Sequence, residues 1–199
     1  MSPADPATIA FYDRDADAYA QSAVDHGVRD SLRAFEARLP RAARVLDLGC
    51  GGGHESVWLA EHGHNVTSMD ASPGLAAEAK RRFGIEVRVA DFTALDDIAA
   101  YDGVWSGAAL HHATTEELTA IIAAIARALK PGGAFGALLK AGHDRRDGLG
   151  RFYCGIDADG MRALLADAAQ WAGAEVQQTV GSGYDQVETP WLIVSARRT

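Results

Sequence analysis

Cysteine, clustered positive charge and long apolar runs are all scarce in this sequence, and each shortage removes a class of protein. Two cysteines, Cys50 and Cys154, cannot build a disulfide framework, and Cys50 falls inside a glycine run where a small side chain is needed. A reduced, cytoplasmic setting is the simplest expectation. Residues 1–10 hold Pro3, Asp5 and Pro6 without an apolar run, so neither a secretory leader nor a membrane span is expected there. The formal net charge is −8, and Lys and Arg adjoin one another only at positions 80–82, 145–146 and 197–198. A protein that follows a phosphate backbone needs denser positive charge, so no nucleic-acid partner is expected. Oligomeric state is not legible. At 199 residues the chain fits one domain with a core of its own, and no internal repeat divides it.

What is present is organised around residues 44–61. Val45, Leu46 and Leu48 make a short apolar run suited to a buried parallel strand, and Val57, Trp58, Leu59 and Ala60 suit a helix packed on a sheet. Between them lie Gly49, Gly51 and Gly53, which permit positive φ and let a ligand approach bare backbone. The helix that follows directs its free N–H groups and positive dipole end at such a ligand. A dinucleotide fingerprint requires glycine or alanine in its last place. Counting from Gly49 that place is His54, and from Gly51 it is Ser56, which weakens a pyrophosphate reading. A turn that only reverses the chain stays open.

The acid-x-Gly-x-Gly-x-Gly run of Asp47, Gly49, Gly51 and Gly53 resembles the first motif of class I S-adenosylmethionine-dependent methyltransferases. The resemblance implies that the turn holds the methionine end of the cofactor, with Asp47 suited to a cationic ligand. Asn65, Val66, Thr67, Ser68 and Met69 read as a second strand that closes on Asp70 and Ala71, about 20 residues after the turn, where a carboxylate can take the ribose hydroxyls. A loop acid or a cap is the plainer role for Asp70. Asp91 and Phe92, after a third strand at 86–89, match the family's adenine place, where an acid accepts from the amino group and a neighbour covers the ring. The strand from Tyr101 into Ser106–Ala109 resembles the fourth motif, which ends beside the methyl group and puts Ser106 on the cofactor. Tyr12 and Tyr19 resemble aromatic residues of the leader that closes over the cofactor in small-molecule methyltransferases, although packing the leader on the core serves equally.

The fold implied is α/β: a Rossmann-like, doubly wound, seven-stranded, mostly parallel sheet with an antiparallel last strand. An N-terminal helical cap over residues 1–40 precedes a core over 41–199. The pattern predicts cap helices over 6–23 and from about Val28 to Leu39. It further predicts a capping-box helix over 114–129, a strand over 134–140, a mobile loop over 141–153 and a helix over 157–172 with Trp171 inward. Strands at 175–180 and 191–196 are joined too closely for a crossover helix and form an antiparallel pair. The activity implied is methyl transfer to a small molecule by in-line displacement, which needs alignment above all and a base only if the acceptor must lose a proton. His111 is the candidate base, and His112, Arg145 and Arg151 are the candidate acceptor contacts. No metal is expected, since His111, His112 and His143 have no ligand spacing. A non-catalytic S-adenosylmethionine-binding protein and a nicotinamide-dependent oxidoreductase are the rival functions.

Overall fold

Asp5 opens the first helix by accepting the backbone N–H of Thr8 at 2.9 Å, with Pro6 in the first turn, where its missing N–H costs nothing. The computed structural model describes residues 4–27 and 29–199, so the predicted helix start at Val28 lies outside the described residues. The single helix predicted over 6–23 is two, α1 (Pro6–Arg14) and α2 (Ala16–His26), because Asp15 leaves helical geometry at φ −103 and ψ 19. That break sets Tyr12 and Tyr19 edge to face, 4.8 Å between centroids. The next helix, α3 (Asp30–Glu36), stops short of Leu39.

Strand and helix then alternate through β1 (Arg44–Leu48), α4 (His54–Glu61), β2 (Asn65–Asp70), α5 (Pro73–Phe83), β3 (Val87–Val89), β4 (Tyr101–Gly107), α6 (Thr115–Ala128) and β5 (Leu129–Lys140). A two-stranded hairpin, β6 (Arg145–Arg146) and β7 (Phe152–Tyr153), precedes α7 (Ala158–Ala168), β8 (Trp171–Gly181) and β9 (Thr189–Arg198). The main sheet has seven strands in the order β3-β2-β1-β4-β5-β9-β8. Pairing is parallel from β3 to β5, whereas β9 runs antiparallel to both β5 and β8. The doubly wound, mostly parallel sheet with its reversed strand is therefore present, with β9 one place in from the edge.

Period two divides each central strand between two cores. Leu46, Leu48, Val104, Phe135 and Leu139 face Leu118, Ile121, Ile122 and Ile125 of α6, whose Thr114 and Glu117 make the predicted capping box. Val45, Trp105, Ala134 and Leu138 face Leu32, Phe35 and Leu59 on the other side. Gly103 and Gly136 admit Phe35 there, since a Cβ at either would stand 2.8 Å or less from its ring. Two predicted elements differ. Residues 141–153 are not a structureless loop, because Asp147 accepts from the backbone N–H groups of Leu149 and Arg151 at 2.9 and 3.0 Å and closes the hairpin. Helix α7 ends at Ala168 and Trp171 belongs to β8, stacked on Phe135 at 5.8 Å with its indole N–H on the Leu165 carbonyl at 3.0 Å.

Candidate active site

The site is built at the carboxyl ends of β1 to β4, where β1 stops at three glycines with positive φ. Gly49 lies at φ 78, and a Cβ there would meet the Cβ of Ala109 at 2.3 Å, so only glycine lets the turn approach the end of β4. Gly49 and Cys50 both donate to the Met69 carbonyl, at 2.7 and 3.0 Å, and the Gly51 N–H donates to Asp70 Oδ2 at 2.8 Å. Asp70 Oδ1 accepts the Ser72 N–H at 2.8 Å. Both carboxylate oxygens are thereby aimed by backbone, and each keeps a lone pair. Burial raises the pKa of Asp70. Gly53 serves the helices instead. It caps α4 and would press a Cβ to 3.0 Å from Ala79, so it packs α4 on α5 and does not line the cavity.

The cavity over this turn is floored by Gly49, Gly51, Asp70 and Ala71. It is walled by Asp91, Phe92, Thr93 and residues 107–109, and roofed by Ile9, Tyr12 and Tyr19, with His112 at its edge. Its empty space, open solvent at the mouth included, is about 740 Å³. Asp91 uses Oδ1 to accept the Thr93 N–H at 2.7 Å and cap a short turn.

Behind the turn lie two buried carboxylates. Asp47 is fully buried, its Oδ2 accepting the Ser56 hydroxyl at 2.6 Å, and Oδ1 has no partner among the described residues. Burial, and then the charge of Glu55, push its pKa up to about 8. Glu55 carries no signal in the sequence beyond its place in the first turn of α4. Its Oε1 accepts from Arg29 at 3.0 Å and its Oε2 from the Trp105 indole at 2.8 Å, directly behind Gly107. Asp47 therefore holds a proton near pH 7 without a ligand, and its orphaned Oδ1 fits a cationic ligand, whose charge would favour the ionised form.

Four predicted contacts point elsewhere. Ser106 is buried and donates to the Leu48 carbonyl at 2.8 Å, stitching β4 to β1, so it does not reach the cavity. His111, the candidate base, is 2 % exposed and outside the cavity; its Nδ1 accepts the Lys140 N–H at 3.0 Å, and burial drives its pKa well down. Arg145 lies on the hairpin, 4.9 Å over the Tyr153 ring, and Arg151 is buried beside Asp147; neither lines the cavity. His112 does line it. Its Nδ1 lies 2.6 Å from the Phe152 carbonyl, which only accepts, so Nδ1 carries the hydrogen and Nε2 accepts the Tyr12 hydroxyl at 2.8 Å. Burial pushes the His112 pKa down to about 4 against the pull of that carbonyl, leaving a neutral imidazole near pH 7. Among the described residues, no group of three or more His, Cys, Asp or Glu is placed to hold a metal, and no helix is long and apolar enough to cross a membrane.

Residues 45–133 match the sequence model of a methyltransferase domain. The malonyl-[acyl-carrier protein] O-methyltransferase of Enterobacter lignolyticus is 38 % identical over 138 residues, covering 67 % of this chain and 53 % of that protein. The S-adenosyl-L-methionine-dependent Diels-Alderase of Talaromyces variabilis is 35 % identical over 121 residues, 53 % of this chain and 41 % of its own. The chain thus spans about half the length of the curated relatives it matches. In fold it resembles the 1,6-didemethyltoxoflavin-N1-methyltransferase of Burkholderia thailandensis, solved with 1,6-didemethyltoxoflavin and S-adenosylhomocysteine, at a TM-score of 0.73 and 24 % identity over 100 % of this chain and 94 % of that one. Residues 45–133, through the first four parallel strands, thus match a methyltransferase domain in sequence, and the whole chain has the Rossmann-like fold of solved S-adenosylmethionine-dependent methyltransferases.

Proposed function

We propose that this cavity binds S-adenosylmethionine and that the protein moves the methyl group to a small-molecule acceptor. The observation that carries the reading is the pair of acids met along one cavity, Asp70 at the end of β2 and Asp91 just after β3, with Asp47 buried behind the turn. That order suits a ligand with a cationic end, two vicinal hydroxyls and an amino-bearing base. When bound, S-adenosylmethionine supplies a methyl group on a sulfonium, which an acceptor lone pair takes in line. Gly49 and Gly51 let the ligand lie on backbone, while Asp47 and Glu55 favour its positive charge. Asp70 has a lone pair on each oxygen for ribose hydroxyls, Ala71 lies beside it, and Asp91 accepts from the adenine amine while Phe92 covers the ring. Tyr12 and Tyr19 close the roof and exclude water. The proton acceptor is His112, whose bare Nε2 faces the roof, in place of His111.

The cap, residues 1–40, and the core, 41–199, act as one unit in this reading, because Asp13 of α1 accepts from Ser72 Oγ at 2.6 Å and the Gly74 N–H at 2.9 Å. The acidic charge supports a small-molecule acceptor over a nucleic acid, and two buried, unpaired cysteines suit a cytoplasmic setting. The Diels-Alderase relative favours a second reading, in which the cofactor is bound but its methyl is not passed on. Calorimetry with S-adenosylmethionine and with NAD tests the site: heat is expected with the former alone, and its absence sinks the proposal. Consumption of the methyl donor over an acceptor panel decides between transfer and mere binding.

A further inference from the structure

We infer that Tyr184, in the turn between β8 and β9, is a positioning residue for the cofactor: its ring holds Tyr19 in the cavity roof, and the buried Lys140–Asp185 ion pair holds Tyr184. The inference rests on the cofactor reading above and adds to it a residue that no motif marks. Tyr19 lines the cavity and stands against the glycine turn, where a Cβ on Gly51 would lie 3.8 Å from its ring. Its helix, α2, begins at the break at Asp15 and has no side-chain cap there. Arg81 and Arg82 pair with Asp17 and tie α2 to α5, but the Asp17 side chain is 76 % exposed, so solvent screens that tie. Tyr184 meets the roof from outside the cavity. Its ring lies 5.2 Å from Tyr19 and 5.9 Å, edge to face, from Phe11, with the Arg151 guanidinium 5.7 Å over it. Tyr19 is thereby held between two rings, Tyr12 at 4.8 Å and Tyr184 at 5.2 Å.

The residue after Tyr184 fixes the turn. Lys140, at the end of β5, is 2 % exposed; its Nζ donates to Asp185 Oδ2 at 2.6 Å and lies 5.0 and 5.7 Å over the rings of Tyr153 and Trp191. A buried ammonium is stable only beside its counter-charge, so the pair binds the turn to the sheet. The turn lies on that side chain, since a Cβ on Gly183 would stand 3.2 Å from Lys140 Cε. The Gln186 N–H closes it on the Gly183 carbonyl at 2.9 Å, with Gln186 at φ 56, a left-handed conformation that a non-glycine residue keeps only where its surroundings impose it. A continuous path thus runs from β5 through Lys140, Asp185 and Tyr184 to Tyr19. Loosening it lets Tyr19 leave the roof, admits water and frees the ligand.

The test follows release of S-adenosylhomocysteine from the full chain by stopped flow. Tyr184→Ala should speed release by about 10-fold, the loss of two aromatic pairs, and Tyr184→Phe, which keeps the ring, should restore the wild-type rate. Lys140→Met combined with Asp185→Asn removes both charges and strands neither. That variant should release the ligand as fast as Tyr184→Ala does, and adding Tyr184→Ala to it should gain less than about twofold more, because both act through one ring. A merely structural role would make the two effects multiply in full. Wild-type release in Tyr184→Ala, fast release in Tyr184→Phe, or full multiplication overturns the inference; if the charge-free variant does not fold, the two Tyr184 variants decide alone. If S-adenosylhomocysteine does not bind the wild-type chain, the cofactor reading falls and takes this one with it; if it binds and Tyr184→Ala releases it at the wild-type rate, this one falls alone.

Discussion

Adjacent histidines point opposite ways because a short 3-10 turn over Leu110–His112 sends one ring into the sheet and the other to the cavity. Spacing along the chain cannot separate neighbours, which is why the sequence pointed at His111 when the geometry favours His112. Gly49 and Asp70 were legible because strand length and turn chemistry fix how far apart they must be. Replacing His112 by Asn should abolish methyl transfer with S-adenosylhomocysteine affinity retained. His111→Asn should keep turnover and lower stability by about 1–3 kcal/mol, the cost of disturbing a buried acceptor for the Lys140 N–H, read from denaturant midpoints. Asp47 gives a pH signature. Its folded pKa is raised to about 8 from an unfolded value of about 3.9, so the folded state binds the extra proton and stability falls as pH rises between those values. Asp47→Asn should lack this component of the slope, as thermal melts of the cofactor-free proteins across that window will tell.

Helix α1 reaches the cavity roof under restraint from the hairpin. Arg146 donates to both carboxylate oxygens of Asp5, at 2.9 and 2.7 Å, and the Phe152 N–H donates to Thr8 Oγ1 at 2.9 Å. The pair lowers the Asp5 pKa strongly, yet Arg146 is half exposed, so solvent screening keeps its contribution small. Arg146→Met should therefore leave the fold intact while speeding amide exchange in α1 and the release of S-adenosylhomocysteine; unchanged exchange there would free α1 from dependence on this clasp. None of this was readable in advance. Two-residue strands have no periodicity, and the side chain that closes the hairpin, Asp147, looks in sequence like any loop acid. The overrun of α7 has a similar cause, since Trp171 continues an apolar helical pattern and only the pairing of β8 with β9 reassigns it.

Across the molecule the alternation of apolar strands with amphipathic helices made the sheet readable, whereas the split of α1 from α2 turned on a single residue, Asp15. The side of the sheet away from α6 depends on glycines at strand positions that bring Phe35 onto β4 and β5, 5.4 Å from Trp105. Phe35→Ala should cost about 3–5 kcal/mol through the void it leaves. Because the cavity lies at the strand ends, cofactor affinity should not change, and calorimetry on the folded variant checks this. The position of β9 has a consequence for how such a chain is made. On a ribosome β8 emerges before β9, yet among the described residues its only partner in the sheet is β9, which itself pairs with β5 through residues 134–140. The parallel strands can therefore assemble during synthesis, while β8 must wait beside an open sheet edge until Leu192, Val194 and Ala196 arrive to fill the gap. That interval is when the nascent chain is most exposed to pairing with another copy of itself.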